Sequence, residues 1–197
     1  DQLSDTVRKK YLGYIIKQAK DLGQIINDLL DISRIESGRN LFLKKAEVSM
    51  NEFLDRLLEV FGQRSPLLSE CHQFTLELPE KSPLLSIDAE KMSSVMKNLV
   101  SNAVKYSPDG GTIEVAGVVS GAVYQVSISD QGLGMTPEQV ERIFEKFYRV
   151  DASNTSTEGT GLGMTIAKNI VEAHGGDIWV ESELGQGTTV RFSIPMD

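Results

Sequence analysis

Cysteine is almost missing from this chain. Cys71 is the single one in 197 residues. No disulfide can close internally, and a reducing, cytoplasmic setting is expected. Basic residues are the minority: 20 Lys and Arg face 28 Asp and Glu, a formal charge of −8. That balance argues against a sequence-independent grip on nucleic acid or anionic membrane, both of which need basic surface. A small anion is still allowed, because a few local cations can hold one. No apolar run approaches membrane-spanning length, and no secretory signal stands at the front, so direct membrane contact is not expected. Internal repeats and low-complexity tracts are absent. The first residue is Asp1 rather than Met, which points to a piece of a longer protein. With 40% hydrophobic residues the chain can bury an ordinary core in one or two domains.

Periodicity divides the chain in two. From Ser4 to about Glu36, Leu12, Ile15, Ile16, Ala19, Leu22, Ile26, Leu29 and Ile32 recur at threes and fours, one apolar stripe on a long helix. Gly38 suits its C-terminal cap. One amphipathic helix cannot bury its own stripe and needs a partner. From about Leu41 the pattern becomes compact α/β. "LFLKKAEVSM" alternates as a strand, and Ser49 with Glu52 reads as a capping box opening a helix. "HQFTLELP" and "PLLSID" are short strands, and Asp88 caps the helix that follows. "GTIEVAGVVSGAVYQVSISD" is a pair of strands joined near Ser120 and Gly121. Thr136 and Pro137 start a helix through "EQVERIFEKF". "RVDASNTSTEGT" is a polar loop, "GLGMTIAKNIVEAHGG" a helix, and "DIWVES" and "GTTVRFSIP" the last strands, with Trp179 read as core. The expected fold is an α/β two-layer sandwich of a mixed sheet and helices, residues 41–197, preceded by one long amphipathic helix, residues 1–40.

Three stretches carry chemistry. In "NLVSNAVKY" Asn98, Asn102 and Lys105 form a helix stripe apart from the apolar face. A solvated face more often carries Glu, Lys or Gln; amides at these places suit oxygen ligation without added charge. "DQGLGM" ends a strand, so Gly132 and Gly134 allow a tight turn and close backbone approach, and Asp130 can accept from an amino group; a plain turn capped by Asp is the other reading. "GTGLGM" opens a helix, where free N–H groups and the positive dipole end suit phosphate. It fits neither the dinucleotide fingerprint nor the P-loop.

These stretches in this order, with "FEKFYR" between the last two, resemble the N, G1, F and G2 boxes of the ATP-binding catalytic domain of sensor histidine kinases. "INDLLDISRIESG" is similar to the second helix of that family's dimerisation and phosphotransfer hairpin. The resemblance implies that Asn102 ligates Mg²⁺ bridging the ATP phosphates, with Asn98 beside it. Lys105 contacts phosphate and Tyr106 packs near the nucleotide. Asp130 accepts from the adenine amino group, and Gly132 and Gly134 shape that pocket. Arg149 reaches the γ-phosphate. Gly159, Gly161 and Gly163 bring amides to the phosphates, and Thr188 supports the adenine site. Residues 150–158 become the ATP lid. Gln131 stands where the family often has Asn.

The implied activity is transfer of the γ-phosphate of ATP to a histidine, for relay to an aspartate of a response regulator receiver domain, in a homodimer joined through the first helix, with room for an inner-membrane anchor elsewhere in the parent. The family's acceptor histidine lies on the other helix of the hairpin. This chain has only His72, in a strand, and His174, at a helix end before two glycines, and both read as structural. The acceptor is therefore expected outside the chain, which alone should not phosphorylate itself. Two other classes remain open: an ATPase of the gyrase and chaperone type, and a nucleotide-binding regulatory module. In the former a glutamate replaces Asn98 to activate water, and an amide cannot take up a proton at neutral pH.

Overall fold

The computed structural model describes residues 5–36, 41–64, 71–150 and 160–196. Gly38, Gly159 and most of the polar stretch before it lie outside them. The chain forms two units, Asp1–Leu41 and Phe42–Asp197.

The first unit is α1 (Asp5–Glu36). Leu12, Ile15, Ile16, Leu22, Ile26 and Leu29 are exposed on it.

The second unit contains β1 (Ala46–Ser49), α2 (Met50–Arg64), β2 (His72–Glu77), β3 (Leu84–Ile87), α3 (Ala89–Lys105), β4 (Gly111–Ser120), β5 (Val123–Asp130), α4 (Pro137–Arg142), α5 (Gly163–Ala173), β6 (Ile178–Glu183) and β7 (Gly187–Pro195). Five strands make one sheet in the order β2-β4-β5-β7-β6. β2 and β4 run parallel and the other pairs antiparallel, so the sheet is mixed. Alternation decides its faces. Tyr124, Val126 and Ile128 of β5 are buried beside Val190, Phe192 and Ile194 of β7. Met92, Val95, Met96, Leu99, Val100 and Ala103 of α3 meet this face with Ile166, Ala167, Ile170 and Val171 of α5.

Local capping starts the helices. Asp88 Oδ1 accepts from the Glu90 and Lys91 N–H groups at 3.1 and 3.0 Å, satisfying first-turn donors. Thr136 and Gln139 form a reciprocal capping box before Pro137. At Ser49 only the hydroxyl half is present, with Glu52 N–H 3.5 Å from Ser49 Oγ.

Three expectations change. The strand read from Leu41 is confined to Ala46–Ser49, because β3 offers a pairing edge only there; Phe42 is 87% exposed. The helix begun at Pro137 stops at Arg142 rather than running through Phe147. Phe147 takes φ +62, the left-handed region that no helix accommodates, and its N–H donates to Gly161 O at 3.0 Å. A tertiary hydrogen bond replaces the helical one. Trp179 is half-buried on edge strand β6 rather than core, and its Nε1–H donates to exposed Glu181 at 3.3 Å.

Candidate functional site

The helical layer and the C-terminal half of the sheet enclose a cavity of about 590 Å³. α3 contributes Asn102, Lys105 and Tyr106, β5 contributes Ile128 and Asp130, and β7 contributes Thr188 and Val190. Gly134, Met135, Met164 and Val180 complete much of the wall. Met135 and Met164 pack beneath the two glycine-rich stretches, each 8% exposed. Among the described lining residues, Asp130 is the one carboxylate and Lys105 the one cation. Such a wall suits a ligand with a flat apolar body, a hydrogen-bond donor and an anionic group.

Asp130 ends β5 opposite Thr188 of β7. Its Oδ1 accepts from Gly132 N–H at 2.9 Å and from Thr188 N–H at 3.2 Å. Burial raises the carboxyl pKa above its ordinary value, outweighing the opposing hydrogen bonds from the Gly132 and Thr188 N–H groups. A carboxylate whose one oxygen is held by two backbone amides has its orientation set in advance.

Glycine is required around it for steric reasons. A Cβ on Gly132 would stand 2.1 Å from Tyr106 O. On Gly134, at φ +64, it would stand 1.9 Å from Glu183 O. The turn therefore lies directly on the end of α3 and on the β6–β7 hairpin, with Leu133 N–H donating to Tyr106 O and Gly185 N–H to Leu133 O.

The asparagines divide. Asn102 lines the cavity, whereas Asn98 is turned toward the start of α5, its Nδ2 donating to Gly163 O at 3.3 Å. The structure thus brings together Asn102, Lys105, Tyr106, Asp130, Gly134 and Thr188 along the cavity. Lys105 Nζ lies 5.1 Å from the Tyr106 ring centroid. Asn98, Gly132, Gly161 and Gly163 form the supporting layer. Gly161, at φ +72, is pressed against the Phe147 backbone, which joins the F stretch to the entry of α5. Arg149 is half-buried beside Val150, which lines the cavity. Gly159 lies outside the described residues. Among the described residues no side chain caps α5, Thr160 Oγ1 taking only the Leu162 N–H before it at 3.3 Å, so the first N–H groups of the helix are open to other acceptors.

Three neighbours carry no local signature in the sequence. Ser107 is 2% exposed at the end of α3, with its Oγ close to Gly132. A Cβ on Gly187, at φ +98, would stand 2.1 Å from Asp130 O. Ser182 of β6 pairs with Thr188. Only the strand register could have revealed the last two.

A mixed sheet covered by helices, with a half-buried aspartate, glycine turns and an amide-bearing helix around one cavity, defines a nucleotide-binding α/β sandwich. Residues 87–197 match the model of the histidine kinase-, DNA gyrase B- and HSP90-like ATPase family, and residues 1–38 that of the His Kinase A (phospho-acceptor) domain. The chain belongs to the first of these families, and its catalytic domain is of the sensor histidine kinase kind. It is 34% identical over 193 residues to the sensor histidine kinase WalK of Bacillus subtilis, covering 96% of this chain and 31% of the relative. It is 36% identical to the adaptive-response sensory kinase SasA of Synechococcus elongatus, covering 91% of this chain and 46% of the relative. The chain thus spans less than half the length of these relatives. Among solved structures, full-length ShkA in complex with AMPPNP superposes with TM-score 0.78 at 27% identity, over 99% of this chain and 40% of that one. The Acinetobacter baumannii histidine kinase AdeS shares the fold, with TM-score 0.76 at 21% identity over 100% of this chain and 87% of that one.

Proposed function

We propose that residues 41–197 bind ATP with Mg²⁺ and present its γ-phosphate to a histidine, for relay to a response-regulator aspartate. In this reading residues 1–40 are one helix of the parent's dimerisation and phosphotransfer hairpin. The observation that carries the proposal is Asp130. Its Oδ1 is occupied by two backbone N–H groups, which leaves Oδ2 to accept from an exocyclic amine in the cavity.

The remaining roles fall to residues of the lining and of the layer beside it. Lys105, the uncapped N–H end of α5 and Arg149 offset phosphate charge, and Gly161 lets the chain approach closely. Tyr106 stacks near the base, and Thr188 supports Asp130. Asn102 offers one neutral oxygen to a cation. Among the described residues no group of three or more His, Cys, Asp or Glu gathers as a metal cluster. A cation held by a single protein oxygen draws its other ligands from phosphate and water, a set that suits Mg²⁺. When bound, the ion neutralises charge on the phosphates.

Asn98 argues for transfer over rapid hydrolysis. Its amide is engaged with Gly163 O and cannot serve as a base. Among the described residues no helix is long and apolar enough to cross a membrane. Calorimetry of ATP and GTP with and without Mg²⁺ tests the reading: selective, Mg²⁺-assisted ATP binding supports it and absence of binding overturns it. Steady-state hydrolysis at a rate typical of a working ATPase would favour the gyrase-type alternative.

A further inference from the structure

Asp130, Thr188 and Ser182 stand in one row across β5, β7 and β6. Thr188 lines the cavity; Ser182, one strand further out, does not. Ser182 Oγ lies 2.8 Å from Gly187 O and 2.9 Å from Thr188 Oγ1. A carbonyl only accepts, so the bond to Gly187 uses the single proton of the Ser182 hydroxyl. The contact between the hydroxyls must then be made with the Thr188 proton. Thr188 is left with lone pairs, and no proton, to turn toward the cavity. Beside it Asp130 is also an acceptor, and the Thr188 N–H is already spent on Asp130 Oδ1.

We propose that Ser182 is a positioning residue that sets base specificity by drawing the Thr188 proton away from the ligand. The end of the cavity at Asp130 and Thr188 then offers acceptors only. It takes a 6-amino purine, whose amine donates, and rejects a 6-oxo purine, whose carbonyl would be buried against lone pairs and left unpaired. This rests on the nucleotide-binding reading above and adds to it the group that orients the hydroxyl. When Ser182 is removed, the Thr188 hydroxyl loses its acceptor and can rotate to donate into the cavity.

The test is calorimetry on the whole chain with ATP and with ITP, which differs at the 6-position and lacks the 2-amino group of GTP. Wild type is expected to prefer ATP. Ser182→Ala is expected to narrow the ATP-to-ITP affinity ratio by roughly two- to tenfold, the equivalent of one neutral hydrogen bond. Ser182→Thr keeps the hydroxyl and should restore the ratio. In a Thr188→Val background, Ser182→Ala should leave the ratio unchanged, since the effect passes through Thr188. Mere loosening of the β6–β7 hairpin would weaken both nucleotides together and keep the ratio. A wild type that discriminates and a Ser182→Ala variant with an equal ratio overturn the role of Ser182 alone. A wild type that binds neither nucleotide, or both equally, overturns the base-site reading and this inference with it.

Discussion

His174 Nε2 accepts a hydrogen bond from the Asp88 N–H at 2.9 Å, joining residues 86 positions apart. His174 Nδ1–H donates to Ile170 O at 2.7 Å, so both ring nitrogens are used and the imidazole is neutral. It ties the end of α5 to the start of α3, the two helices that roof the cavity. A proton on Nε2 would face the Asp88 N–H, donor against donor.

That bond predicts a pH window. Burial, chiefly, lowers the His174 pKa below 6.5, assisted by Lys45 and opposed by the Ile170 bond and Asp88. The unfolded chain therefore binds this proton more readily than the folded one. Stability from neutral His174 is complete above about pH 6.5 and is lost as pH falls from there through the lower folded value, at up to about 1.4 kcal/mol per pH unit. Urea unfolding at pH 7.5 and pH 5.5 should show the loss in wild type and a shallower one in His174→Gln. Equal slopes would remove His174 from the account. Asp88 acts in a separate, more acid window: burial raises its pKa, but N–H groups of Lys91, Lys44 and Glu90 lower it further, so its contribution fades only below about pH 3.8.

Asp130→Asn should invert base recognition. The Gly132 and Thr188 amides still demand an oxygen at Oδ1, so the introduced NH₂ must face the cavity where Oδ2 stood. ATP affinity should fall by about 1.5–3 kcal/mol, the worth of a hydrogen bond to a charged group. Folding should not suffer, because burial raises the Asp130 pKa and the carboxylate therefore costs stability at neutral pH. Unchanged ATP affinity in calorimetry, or a variant that fails to fold, contradicts the assignment.

Asn102→Ala should act on the cation alone. The Mg²⁺ enhancement of ATP binding is expected to shrink while the preference for ATP over GTP stays. A titration in which base preference collapses would place Asn102 at the wrong end of the ligand.

Glycine substitutions should separate by geometry. Gly134→Ala combines a left-handed φ with a Cβ driven into Glu183 O, and should cost more than about 1 kcal/mol along with the binding site. Gly163 lacks a left-handed φ and its nearest neighbour stands 3.4 Å from a built Cβ, so Gly163→Ala should unfold near the wild-type midpoint. Thermal unfolding compares the two directly.

Association should depend on α1. Leaving Leu12, Ile15, Ile16, Leu22, Ile26 and Leu29 in water is unfavourable, at roughly 1.5–3 kcal/mol for each side chain that a partner could fully bury. Sedimentation equilibrium should find concentration-dependent dimers or higher oligomers of the whole chain and a monomer of residues 42–197. A monomer in both forms at high concentration would sink this prediction.

Capping, alternation and helical spacing are local rules, and the sequence alone was enough for what depends on them. Asp88, Thr136 and Pro137 announce their helices, the alternating residues of β5 and β7 announce a half-buried sheet, and the order of the asparagine, aspartate and glycine stretches announces the nucleotide site. Partners far apart in the chain were not readable in this way. Phe147 leaves the helical region because Gly161 meets it, and Asn98 turns from the cavity because Gly163 O lies within its reach. Trp179 stays half-exposed because β6 is an edge. Ser182 looks like any strand serine until the β6–β7 register sets it beside Thr188. Each depends on which backbone atom arrives at about 3 Å. Only the packed chain decides that, since hydrogen bonds are short-ranged and directional while residue patterns record little more than burial and local conformation.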